Sequence, residues 1–178
     1  DELLDVTGGA PAGFARVIGT RTSANDYEDG AGNKVHSAYT RWSTGFIGGW
    51  TPDPDTRVEL SVDRSDGEAR YADRAMDGTL FDRTGYGMRI EKANISPLLG
   101  KLEAQVYHNY VDHVMDNFSL REKTAPMYMI NNPDRTTQGA RVAGELALAA
   151  RTTLTVGLDY QENEHTLRTA SSMMGIPD

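Results

Sequence analysis

Along most of the chain apolar and polar residues alternate one by one, the period of a strand whose two faces meet different surroundings. From Lys101 to Met115, Leu102, Ala104, Val106 and Tyr110 fall on one face, and Glu103, Gln105, Asn109, His113 and Met115 on the other. Thr137 to Leu148 sets Ala140, Val142, Leu146 and Leu148 against Gly139, Arg141, Ala143 and Glu145. Thr153 to Asn163 sets Leu154, Val156, Leu158 and Tyr160 against Thr155, Gly157, Asp159 and Gln161. Shorter versions occur at Val58, Leu60 and Val62, at Tyr86, Met88 and Ile90 within Arg83 to Lys92, and at Trp42, Phe46 and Trp50 within Val35 to Trp50. Phe14 to Tyr27 predicts a strand with less distinct faces. No sustained i, i+3, i+4, i+7 stripe of helical length interrupts them, so the pattern predicts an all-β chain of about seven antiparallel strands.

The connections sort into two kinds that alternate along the chain. Thr51 to Thr56, the stretch around Asn94 to Gly100, and Ala149 to Thr152 are short. The first carries the proline and aspartate chemistry of a turn. Ser65 to Asp82, Asp116 to Thr136 and the segment from Glu164 onward are long, and Asp26 to Lys34 is of moderate length on that same side. Short turns at one end and long loops at the other are the habit of transmembrane β-barrels. A β-sandwich would also alternate. The predicted strands are longer than the ~5–6 residues usual in soluble sheets. Trp50, Tyr110 and Tyr160 are expected near strand ends, as an interfacial girdle would place them. Arg89, Glu91, Arg141, Glu145 and Asp159 charge the polar face, which suits a hydrated lumen.

Composition agrees with a chain that builds no large core of its own. Leu, Ile, Val and Phe together supply 33 of 178 residues, a share below the ~20% that marks a chain short of core residues. The net charge of −8 is too modest to make disorder the default. No apolar run reaches the 18 residues of a membrane helix, whereas a membrane strand needs only ~9–11 alternating residues. Seven strands leave a first and a last edge unpaired, which hydrocarbon does not tolerate. The chain therefore reads as a piece of barrel wall, residues 1–178 throughout. At about 25 residues per strand and connection it makes roughly a third of a 22-stranded plugged barrel.

Acidic balance offers no basic stripe for nucleic acid, and the absence of cysteine excludes thiolate sites and cysteine nucleophiles within this stretch. No nucleophile–base pair or phosphate loop is present, so the chain reads as no enzyme. The most pointed chemistry is His113-Val114-Met115. An i, i+2 spacing on a strand puts imidazole and thioether on one face, and that pair suits copper, the thioether favouring Cu(I), over magnesium or calcium. The same spacing also serves plain space filling on a half-buried strand. Met76, Met127, Met129, Met173 and Met174 fall in the long-loop segments, as a soft-metal capture surface or as packing for a loop cap. His108 alternates with the apolar set and is expected to face outward. His36 and His165 stay unassigned. Glu162, Glu164, Asp112 and Asp116 could hold a hard cation or simply be solvated.

Three blocks carry a resemblance: Tyr107 to Asn117, which contains the H-x-M pair; Tyr71-Ala72-Asp73-Arg74-Ala75-Met76-Asp77-Gly78; and Gly49-Trp50-Thr51-Pro52-Asp53. In these the sequence resembles the TonB-dependent outer-membrane copper receptors. The resemblance implies a large barrel plugged by an N-terminal domain, copper as cargo, TonB as the energy-coupling partner reached through that plug, and outer-membrane lipid around the wall. It implies that His113 and Met115 are the barrel-side copper ligands. It also implies that the other half of the site, a Cys and a Met four residues apart, comes from a plug that this stretch does not include. A receptor for another cargo, such as a metal chelate or siderophore, and a non-membrane β-sandwich remain the alternative readings.

Overall fold

The structure, a computed structural model, describes residues 1–122 and 126–176. Its strands are β1 (Glu2–Ala10), β2 (Gly13–Ala24), β3 (Tyr27–Glu28), β4 (Lys34–Val35), β5 (Tyr39–Asp53), β6 (Thr56–Ala69), β7 (Asp77–Ala93), β8 (Leu99–Asp116), β9 (Tyr128–Ala149) and β10 (Thr152–Ser172). Eight of them form one antiparallel sheet in the order β1-β2-β5-β6-β7-β8-β9-β10, and β3 and β4 make a separate small hairpin. The all-β antiparallel class is borne out. The strand number is not seven but eight, because β1 pairs with β2 along its whole length, Val6 opposite Val17 and Ala10 opposite Gly13. Adjacent Leu3 and Leu4 and the Gly8-Gly9 pair blur its alternation. What defines it is the tight Pro11-Ala12 turn onto β2. The sheet is open, with β1 and β10 as its edges.

Directly opposed residues of an antiparallel pair share a face, so the register sorts the side chains. One face collects Leu4, Val6, Val17, Phe46, Val62, Leu60, Tyr86, Met88, Val106, Val142 and Leu158. The other is laced with ion pairs: Arg57 to Glu59, Arg89 to Glu91 and Glu103 at 2.6 and 2.9 Å, and Lys101 to Glu91 at 3.0 Å. No apolar side chain is buried among the described residues, and Leu60, Tyr86, Val106, Val156 and Leu158 are all more than half exposed. A β-sandwich would cover such a face with a second sheet. Here the described residues supply none, so that face needs an apolar surrounding from elsewhere.

The apolar band crosses the sheet on a diagonal. One ladder row joins Phe46, Val62, Tyr86, His108, Gln138 and Glu162 across β5 to β10. The band is centred on Phe46 in β5 but between Val156 and Leu158 in β10, five residues below the row after five strand steps. A displacement of about one residue, ~3.4 Å, per strand spacing of ~4.8 Å corresponds to a strand tilt of about 35°. That is the tilt at which barrels close. The position of the apolar residues within the register thus reports the barrel geometry.

Strands continue past the band on the long-loop side, where positions on the apolar face turn polar as Asp82, Asp112 and Asp134, opposite one another. The long connections are therefore shorter than the sequence pattern implies: 70–76 between β6 and β7, and 117–127 between β8 and β9. For the same reason Tyr110 and Tyr160 stand within β8 and β10 and not near their ends, whereas Trp50 does sit close to a turn. Asn94, in the turn after β7, adopts a positive φ of 52°, a conformation asparagine tolerates better than most residues.

The loop after β2 is anchored by Asp26, whose carboxylate accepts the N–H groups of Ser37 and Ala38 at 3.0 and 2.8 Å. Those two bonds hold its pKa down at about 2, with Arg70 and Lys34 adding to the effect and burial opposing it. A depressed carboxylate contributes stability that is complete above its unfolded value near 3.8 and is lost as pH falls through the folded value. The Ser37 and Ala38 amides should therefore stay protected from hydrogen exchange at pH 3 to 4. Protection is expected to fail toward pH 2, and to be absent at neutral pH in Asp26→Ala.

Candidate metal centre

His113 and Met115 lie near the loop end of β8, on the polar face, as the alternation predicts. His113 is opposite Phe81 of β7, and the two rings stack with centroids 4.5 Å apart and a 34° tilt. Its Nε2 is buried and has no hydrogen-bond partner among the described residues. A buried polar atom left bare is uncommon, because it forfeits its hydration without compensation. With its proton on Nδ1, an imidazole in this condition offers the Nε2 lone pair to a partner outside the described residues. His108, five residues earlier on the same strand, faces the apolar side beside Tyr86, ring centroids 6.4 Å apart, as expected.

Space for the Phe81 ring is made by Gly78. A Cβ there would overlap the ring, so this glycine is required by close approach and not by backbone conformation. Gly78→Ala should lower unfolding free energy by about 1–3 kcal/mol, the usual penalty for overpacking. Urea denaturation of the full-length protein would measure this, and Phe81→Leu added to the same chain should recover most of the loss.

Met115 is opposite Asn131 of β9, and Asn131 Nδ2 donates to the Met76 sulfur at 3.6 Å. Asn131 thus contacts the Met76 thioether and stands opposite the residue that carries a second one, with His113 two residues from Met115 on the same face. Met129 lies two residues before Asn131 in β9, on the same face, and its N–H donates to Asn117 Oδ1 at 2.9 Å. The Met127 carbonyl accepts from Asn117 Nδ2 at 3.0 Å. Met173 and Met174 are largely exposed and follow Ser171 and Ser172 at the end of β10, which pair with Met129 and Tyr128 of β9. Of the methionines predicted from the sequence, the structure gathers Met76 with Met115 around Asn131 and ties Met127 and Met129 to Asn117. No cluster of three or more histidine or acidic side chains able to hold a metal occurs among the described residues. Asp112 instead accepts a hydrogen bond from Asn132, and Asp116 caps the 117–127 loop through the N–H groups of Phe118 and Ser119.

Sequence reasoning missed the supports of this site. Asp77, Asp116 and Asn117 are the buried polar side chains among the described residues, and each adjoins or holds a methionine. Asp77 is wholly inaccessible. It accepts from His36 Nε2 at 2.7 Å, the Tyr71 N–H at 2.8 Å, and both Nε and an Nη of Arg121. His36, left unassigned from the sequence, is thereby a structural donor. The only sequence signal for this node was the Met76-Asp77-Gly78 block itself.

Fold and site together define one wall of a β-barrel, with a charged interior face and a soft imidazole–thioether group near its long-loop end. The solved structure of "Copper transporter OprC" shares this architecture, with a TM-score of 0.89 and 44% sequence identity over 97% of this chain. The match covers 27% of that protein, so the chain spans about a quarter of its length. No protein-family model and no curated protein matches the chain. The likeness bears out the resemblance to TonB-dependent copper receptors drawn from the three sequence blocks.

Proposed function

We propose that this chain is part of the wall of an outer-membrane barrel of about 22 strands that imports copper with energy delivered by TonB through a plug domain. The observation that carries the reading is the bare, buried Nε2 of His113, with Met115 on the same face and Met76 across Asn131. Imidazole and thioether together prefer copper, and thioether prefers Cu(I), over hard cations. The apolar band meets outer-membrane lipid. Copper arriving among the loops meets the methionines Met76, Met127 and Met129, then settles on His113 and Met115 together with soft ligands from the plug. Met173 and Met174, which follow the β10 residues paired with Met129 and Tyr128, extend that loop surface. The wall performs ligand exchange and no bond-making chemistry on a substrate, so the function is transport and not catalysis. The neighbouring structure's description as a copper transporter supports the cargo.

The test is copper accumulation by copper-starved cells that carry the full-length protein. Uptake should require the protein, cease when the proton-motive force is dissipated, and persist in excess ferric siderophore. Uptake that a metal chelate displaces would instead make the chelate the cargo and reduce His113 and Met115 to lumen packing.

A further inference from the structure

We propose that Asp77, gripped by Arg121 and His36, is a three-loop latch that positions the Met76 thioether for copper capture. The inference rests on the copper reading above and adds residues with no ligand role of their own. The latch joins segments distant in the chain: His36 from the loop that precedes β5, Tyr71 and Arg74 from the loop that precedes β7, and Arg121 from the loop after β8. Besides its two bonds to Asp77, Arg121 donates from Nη1 to the Arg74 carbonyl at 2.7 Å and from Nη2 to the Tyr71 carbonyl at 2.9 Å. One guanidinium thus fastens the backbone on both sides of residues 72–73, and one carboxylate receives four donors. Only arginine presents a planar fork able to do this while keeping a bidentate carboxylate contact.

Met76 is the residue immediately before this fixed point. Its sulfur sits where Asn131 can donate to it, and Asn131 is opposite Met115. A flexible thioether with three rotatable bonds gains little from being near a site unless its backbone is held, and the latch supplies that hold. Supporting groups of this kind commonly tune metal affinity by ~10–100-fold when removed. Asp77 is therefore a positioning residue acting through Met76.

The experiment uses the full-length protein in detergent with Asp77→Ala, Arg121→Ala, Arg121→Lys, Met76→Ala and the Asp77→Ala/Met76→Ala double variant. Two readouts are taken: peroxide oxidation of Met76 by peptide mass spectrometry, and Cu(I) affinity by competition with a chromophoric Cu(I) chelator. Oxidation of Met76 should rise several-fold in Asp77→Ala and Arg121→Ala and fall only part of the way back in Arg121→Lys. Cu(I) affinity should drop ~10-fold or more, and the double variant should be no weaker than Met76→Ala alone, since contributions through one residue are not additive. Unchanged Met76 oxidation overturns the latch. Raised oxidation with unchanged Cu(I) affinity, or fully additive losses, overturns the positioning role and leaves the His113 and Met115 site standing. A wild-type protein that protects Met76 but binds no Cu(I) overturns the copper reading on which the inference rests, with the latch itself still visible in the oxidation data.

Discussion

Replacing His113 by alanine is expected to weaken copper binding of the full-length protein by more than about 100-fold, beyond what loss of an outer supporting group costs. Replacing His108 is expected to leave binding unchanged. The two histidines lie on one strand, five residues apart, and differ in little except the face they occupy. His113 is half-buried against Phe81 with a buried, bare Nε2, and His108 stands beside Tyr86 on the apolar side. A histidine contributing only bulk or general basicity would not separate the two variants. Met115→Ala should behave like His113→Ala, because a soft ion held by one nitrogen and few sulfurs cannot lose a sulfur cheaply. Isothermal titration or chelator competition on the purified protein would measure all three.

The second large effect concerns the band. Met88→Arg or Val106→Arg puts a guanidinium at the centre of the apolar diagonal and should cost about 2–4 kcal/mol, as for basic residues at a bilayer midplane. That is roughly a 30- to 700-fold change in the folding equilibrium. Gln105→Arg, one residue from Val106 but on the charged face opposite Arg141 and Arg89 in the ladder, should cost only about 1 kcal/mol, from the like charges it opposes. Equilibrium unfolding of the full-length protein in phospholipid vesicles would give both numbers. Equal costs for Val106→Arg and Gln105→Arg would mean that lipid does not cover this face.

Much of this was legible in the residues themselves. Period-two alternation assigned the correct face to His108, His113 and Met115, and placed Arg89, Glu91, Arg141 and Asp159 together, because a strand's side-chain period is fixed by its pleat. Glu2–Ala10 was not legible, since its strand character comes from pairing with β2 and not from its own pattern. Nor were the full lengths of β6, β7 and β9. Above the band both faces are polar, so alternation ends before the strand does, as Asp82, Asp112 and Asp134 show. The tilt needed the register, which no single strand contains. The Asp77 node left no trace beyond its own sequence block, because His36, Tyr71 and Arg121 reach Asp77, at the start of β7, only through three loops brought together by the sheet.

The most direct test of copper ligation by His113 and Met115 is copper K-edge X-ray absorption on the copper-loaded full-length protein and its His113→Ala variant. The expected spectrum shows sulfur scatterers nearest the copper with one imidazole nitrogen, and the variant loses the imidazole signature with most of the copper. A shell of oxygen and nitrogen without sulfur, unchanged by His113→Ala, would contradict it.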